Sequence, residues 1–133
     1  MEDEIRLLLV DDERLVRRSM EKTLFRAGFD VTVAASAGAG LMAFNAARGE
    51  AEPFDLAILD LHMPNLAGVN DKNAGLELLS RLLATQADLP VIVLTAFDEV
   101  TRAKESIVRG ARAYFVKGRE AQLIDLINDI LEL

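Results

Sequence analysis

The sequence contains no cysteine among its 133 residues. Disulfides, thiolate nucleophiles and Cys-ligated zinc are therefore excluded, and a reducing compartment is compatible with the chain. No apolar run approaches the ~18 residues needed to cross a bilayer. The start Met1-Glu2-Asp3-Glu4 is acidic where a signal peptide begins basic. The expectation is a soluble, cytoplasmic protein with no membrane partner. Basic residues are the minority: 15 Lys and Arg stand against 22 Asp and Glu, for a net charge of −7. Such a surface repels nucleic acid and argues against direct DNA or RNA recognition.

What the chain does have is apolar content, at 51 % of its residues. That is enough for an ordinary core, and the length predicts one domain over residues 1–133. Short apolar runs alternate with amphipathic stretches five times. The predicted strands are Ile5–Val10, Phe29–Ala34, Phe54–Leu59, Leu89–Leu94 and Ala113–Val116, rich in Val, Ile, Leu and Phe and expected to be buried on both faces. Between and after them, apolar residues recur at helical spacing, as at Val16, Met20 and Leu24, at Leu76, Leu79 and Leu83, and at Ile124, Ile127 and Leu131.

Five strand–helix units imply an α/β fold: an open, doubly wound, five-stranded parallel sheet with helices on both faces. A closed eight-stranded barrel would need about 250 residues. In an open parallel sheet the functional crevice lies beyond the carboxyl ends of the strands. The one irregular place is the polar stretch Asn65–Gly75, long for a connection that typically takes ~2–6 residues.

Polar residues mark those carboxyl ends: Asp11 and Asp12 after the first strand, Asp60 after the third, Thr95 after the fourth and Lys117 after the fifth. Adjacent strands lie about 4.8 Å apart, so carboxylates at neighbouring tips can share a cation. Without one they repel, and one of them takes a proton. Mg²⁺ suits two or three carboxylate oxygens, a backbone carbonyl and waters. Lys117 and Thr95 add an ammonium and a hydroxyl, which together cradle the charged oxygens of a phosphoryl group. The chemistry that fits is phosphoryl transfer to a carboxylate, with Asp60 as nucleophile and Asp11 and Asp12 as the metal-holding pair. An acid at a strand end also serves commonly as a helix N-cap, which is the plain alternative for Asp12.

At these residues the chain resembles the receiver domains of bacterial two-component response regulators, and the resemblance spans essentially its whole length. It is carried by Leu8-Leu9-Val10-Asp11-Asp12-Glu13, by Asp55-Leu56-Ala57-Ile58-Leu59-Asp60-Leu61-His62-Met63-Pro64, by Val91-Ile92-Val93-Leu94-Thr95-Ala96 and by Gly110-Ala111-Arg112-Ala113-Tyr114-Phe115-Val116-Lys117. The resemblance implies a flavodoxin-like sheet of strand order 2-1-3-4-5. It makes Asp60 the phosphoacceptor, Asp12 a direct Mg²⁺ ligand, Asp11 a ligand mainly through water and the His62 backbone carbonyl a further ligand. Thr95 would bind a phosphoryl oxygen and Lys117 would pair with the phosphate. The implied partners are a sensor histidine kinase or a histidine phosphotransfer protein upstream, and a downstream protein or an output domain outside this chain. The output face of the family is formed by its fourth helix, fifth strand and fifth helix, through which members also dimerise. A Thr95–Tyr114 switch is implied as well, with the aromatic ring turning inward when the hydroxyl moves onto the phosphoryl group.

Two departures from the family pattern stand out. The family places proline after its lysine, joined by a cis bond; here Gly118 follows, and a trans Lys117–Gly118 bond is expected because a cis bond before a non-proline residue costs about 2.5–4 kcal/mol. The family also has a glycine eight residues after the acceptor that leads straight into the third helix. Gly68 holds that position, yet the helix-opening Gly75-Leu76-Glu77 comes later, so 69–75 reads as an insertion on the rim of the site. His62, the only histidine, and Phe97 are placed to shield an attacking water, although an exposed loop ring and plain packing explain them as well.

Gly38-Ala39-Gly40-Leu41-Met42-Ala43, with Asp60 further on, formally matches a dinucleotide fingerprint. That reading leaves Asp11, Asp12, Thr95 and Lys117 without roles. A phosphatase of the haloacid-dehalogenase type would use the same nucleophile, Thr, Lys and Mg²⁺, but would carry an acid where His62 stands. A receiver-shaped scaffold that is never phosphorylated is the third alternative. The reading preferred on sequence is a phosphoacceptor signalling domain that catalyses only its own phosphorylation and dephosphorylation, either stand-alone or cut from a longer regulator.

Overall fold

A computed structural model of the chain describes residues 4–133, apart from the side chain of Phe97. The acidic start at Met1, Glu2 and Asp3 and the shielding role considered for Phe97 lie outside the described parts. The chain runs β1 (Arg6–Val10), α1 (Arg14–Arg26), β2 (Asp30–Ala34), α2 (Ala37–Gly49), β3 (Leu56–Asp60), β4 (Met63–Pro64), β5 (Asn70–Asp71), α3 (Ala74–Thr85), β6 (Val91–Thr95), α4 (Val100–Val108), β7 (Ala113–Val116) and α5 (Glu120–Leu131). Five parallel strands form one sheet in the order β2-β1-β3-β6-β7. With the two short strands set aside, this is the expected order 2-1-3-4-5.

Side chains alternate across each strand, so neighbouring residues feed opposite faces. Leu7, Leu9, Leu56, Ile58, Ile92 and Leu94 point to one face, where Met20 and Leu24 of α1 and Leu123 and Ile127 of α5 cover them. Leu8, Val10, Ala57, Leu59, Val91 and Val93 feed the other face, under Phe44 of α2, Leu76 and Leu79 of α3 and Ala103 of α4. Each such apolar side chain contributes ~1.5–3 kcal/mol by leaving water.

Burial on both faces holds for β1, β3 and β6 but fails for β2 and β7, which are only half-buried over most of their length. These are the edges of the sheet, with a neighbour on one side only. Four of the five strands begin one or two residues later than expected, and the third and fourth each end one residue later, at Asp60 and Thr95. The third strand begins at Leu56 because the Asp55 carboxylate accepts the Arg6 N–H. The fourth begins at Val91 because Pro90 has no N–H to give a ladder.

The stretch expected to be irregular is ordered. Met63 and Pro64 pair antiparallel with Asn70 and Asp71. The Asn65 side-chain carbonyl accepts the N–H groups of Ala67 and Val69, and its amide donates to the Asp71 carboxylate. Leu66 packs against the core beneath.

Candidate functional site

Asp11 directly follows β1, Asp60 ends β3, Thr95 ends β6 and Lys117 directly follows β7. Because β1, β3 and β6 are adjacent and parallel, their tips open on one side of the sheet. Asp12, Glu13, Asp60, His62, Asp98 and Lys117 are among the residues lining a cleft of about 250 Å³ there.

The centre of the cleft is one ammonium among three carboxylates. Lys117 Nζ lies 2.9 Å from Glu13 Oε1, 3.0 Å from Asp11 Oδ2 and 3.1 Å from Asp60 Oδ2. Asp11 and Asp60 are buried. Asp11 Oδ1 accepts the Glu13 N–H and Asp60 Oδ1 accepts the Leu61 N–H, which fixes both carboxylates. Arg17 donates to the Asp11 backbone carbonyl at 2.8 Å and anchors α1 to the site.

Electrostatics here is unbalanced. Burial, and then the Asp11 charge, push the Asp60 carboxyl up to about 7, although Lys117 acts in the opposite sense. Burial works against the charged form of Lys117, yet Glu13, Asp60 and Asp11 outweigh it and hold the ammonium above its ordinary range. Asp11, Asp12 and Asp60 each offer a carboxylate oxygen within 4.8 Å of the others. Asp11 Oδ2 is fully buried and has no hydrogen-bond partner of good geometry, only the nearby ammonium charge. Oxygen-only donors, clustered and short of positive charge, suit a hard divalent cation.

The architecture behind this geometry is tight at one point. A Cβ on Gly75 would sit 2.1 Å from the Asp60 carbonyl oxygen, and the Gly75 N–H donates to the Leu61 carbonyl at 2.9 Å. Gly75, rather than Gly68, therefore lets the start of α3 press against the end of β3. Gly68 instead takes φ +82 in the turn of the hairpin.

Most of the residues singled out on sequence converge, and two stand apart. Asp11, Asp12, Asp60 and Lys117 meet, and His62 lines the cleft with its ring exposed. Thr95 is buried and its backbone carbonyl accepts the Lys117 N–H, but its hydroxyl donates to the Ala96 carbonyl at 3.0 Å. Tyr114 is half-buried and packs on the α2–α3–α4 side of the core. All peptide bonds among the described residues are trans, Lys117–Gly118 included, and Gly118 has φ +105, which proline cannot adopt. Glu13 makes the shortest of the Lys117 contacts, and its place directly after the acid pair is the only signal of this in the sequence.

The family model described as "Response regulator receiver domain" matches residues 7–128. The response regulator protein FleR of Pseudomonas aeruginosa is 36 % identical over 123 residues, covering 92 % of this chain and 24 % of that protein. The response regulator MprA of Mycolicibacterium vanbaalenii is 34 % identical over 113 residues, covering 85 % of this chain and 44 % of that one. The chain thus spans less than half the length of these curated relatives. Among solved structures, a CheY-like response regulator receiver domain protein from Methanospirillum hungatei superposes with a TM-score of 0.82 at 28 % identity, covering 98 % of this chain and 95 % of that one.

Proposed function

The chain belongs to the response regulator receiver domain family, and from that membership we propose that Asp60 is the residue on which it accepts a phosphoryl group. The observation that carries this assignment is the convergence of Asp11, Asp12 and Asp60 within 4.8 Å of one another at the strand tips, beside Lys117. An Asp60 oxygen attacks phosphorus, the P–N bond of a phosphohistidine or the P–O bond of an acyl phosphate breaks, and imidazole or carboxylate departs. Asp11, Asp12, Asp60 and the His62 backbone carbonyl would hold Mg²⁺, which when bound supplies positive charge against the negative charge that gathers on the phosphoryl oxygens. Lys117 pairs with one of those oxygens. Thr95 supplies a hydroxyl by releasing the Ala96 carbonyl, and Tyr114 follows that movement.

A histidine kinase or histidine phosphotransfer protein in the cytoplasm would be the donor. A downstream protein, or an output domain outside this chain, would read the change at the face formed by α4, β7 and α5, where a homodimer could also form. Beyond its own phosphorylation and dephosphorylation the domain turns over no substrate. His62 in place of a second acid gives no support to the phosphatase alternative.

Intact-mass spectrometry after incubation with Mg²⁺ and acetyl phosphate tests the assignment. The expected result is one phosphoryl adduct, absent in Asp60→Asn and in chelator. An adduct retained in Asp60→Asn would place the acceptor elsewhere.

A further inference from the structure

We propose that Glu13 is a positioning residue that occupies Lys117 in the resting protein and must release it before the ammonium can hold a phosphoryl oxygen. The inference rests on the reading of Asp60 as acceptor. An ammonium has three N–H donors, and Lys117 has three carboxylate oxygens around it, at 2.9, 3.0 and 3.1 Å. Of these contacts only the one to Glu13 has hydrogen-bond geometry, so a phosphoryl oxygen arriving beside Asp60 must compete with that bond for the ammonium.

The three are not equally replaceable. Asp11 is fully buried, and its Oδ2 has no aligned hydrogen-bond partner. Asp60 is buried too and carries the reacting oxygens. Stripping a buried carboxylate of its counter-charge is costly, whereas an exposed one returns to water at little loss. The Glu13 side chain is 59 % exposed. It is the ligand that yields.

Glu13 also stands apart from the fold's own needs. It occupies the N-cap position of α1, yet its carboxylate makes no cap bond. The Asp11 carboxylate takes the Glu13 N–H instead, so altering the Glu13 side chain leaves the helix start intact. Asp98 lines the same cleft and makes no ion pair with Lys117 among the described residues. It reports on the charge of the cleft alone.

The test measures the rate of adduct formation from acetyl phosphate with Mg²⁺, and the affinity for beryllofluoride, in wild type, Glu13→Gln, Glu13→Asp and Asp98→Asn. Glu13→Asp keeps the charge but shortens the reach by one methylene. Both Glu13 variants are expected to react about two- to fivefold faster and to bind beryllofluoride correspondingly more tightly, as the loss of one exposed ion pair allows, with Asp98→Asn changing less. Thermal unfolding of each variant separates a folding defect from a site effect. Unchanged or slower reaction in Glu13→Gln would overturn the proposal. So would a Glu13→Asp that behaves as wild type while Glu13→Gln and Asp98→Asn accelerate equally, because charge alone would then account for the rates. No adduct in wild type would remove the assignment of Asp60 itself, and this inference with it.

Discussion

The two ends of the central sheet gather the same kinds of residue and treat them differently. At the carboxyl ends, Lys117 meets Asp11, Glu13 and Asp60, with side-chain exposures of 17 % for the lysine, 0 % for Asp11 and 7 % for Asp60. At the amino ends, Arg6 meets Asp30 and Glu52, exposed by 47 % and 66 %, and its guanidinium lies over the Phe54 ring. The lower cluster ties β1 to β2 and to the chain entering β3, with water reaching both of its carboxylates. The upper cluster has one exposed carboxylate, Glu13, and two buried ones, Asp11 and Asp60, that share the same ammonium. The carboxylates of the lower cluster are hydrated, whereas Asp11 and Asp60 in the upper one are buried with a single ammonium between them.

The contrast can be broken most severely at Gly75. A methyl group there meets the Asp60 carbonyl, so Gly75→Ala should lower stability by about 3 kcal/mol or more and displace Asp60. Urea unfolding measures the first effect and adduct formation the second. A near-neutral result would mean that the end of β3 yields more readily than its packing implies.

Next in size is Asp60→Asn. The Asp60 carboxyl is raised to about 7 in the folded protein, so the folded state holds that proton more tightly than the unfolded chain does. Stability must therefore fall as pH rises from about 4 to about 7. At pH 8 without divalent ions the variant should be more stable than wild type by about 2 kcal/mol, less than the shift alone would give because Lys117 loses a partner. The advantage should vanish toward pH 4. Parallel pH profiles for the two proteins would contradict the buried, crowded picture of the upper cluster.

Gly118→Ala comes third. The site has room for the methyl group, but φ +105 does not suit an L-residue, so a loss of about 1 kcal/mol is expected in thermal unfolding. The smallest effect belongs to the lower cluster. Glu52→Gln should cost less than about 1 kcal/mol and lose even that in high salt. A larger or salt-insensitive cost would erase the distinction between the two ends.

Much of the upper cluster was legible because a parallel sheet turns distance in sequence into proximity at the strand tips. Asp11, Asp60, Thr95 and Lys117 group together on sequence, since each follows or ends an apolar run. What escaped is what depends on side-chain reach or on very short elements. The Glu13–Lys117 contact joins residues 104 apart in sequence and depends on the rotamers of two long side chains. The hairpin of β4 and β5 has strands of two residues each, too short for alternation to register, and its turn is organised by the Asn65 side chain. Gly68 matched the family by counting, while Gly75 does the packing, because the hairpin lengthens the path to α3 without moving the helix start away from Asp60. The half-exposure of β2 and β7 follows from strand order, which residue composition alone does not carry.

The upper cluster is short of positive charge, and a bound divalent cation would restore it. The most direct measurement is the unfolding free energy at pH 8 as Mg²⁺ is titrated, in wild type and in Asp12→Asn. At a concentration about ten times its dissociation constant, Mg²⁺ should stabilise wild type by about 1.4 kcal/mol, with a much weaker response in the variant. Equal responses in the two proteins, or none in wild type, would contradict that shortage of charge.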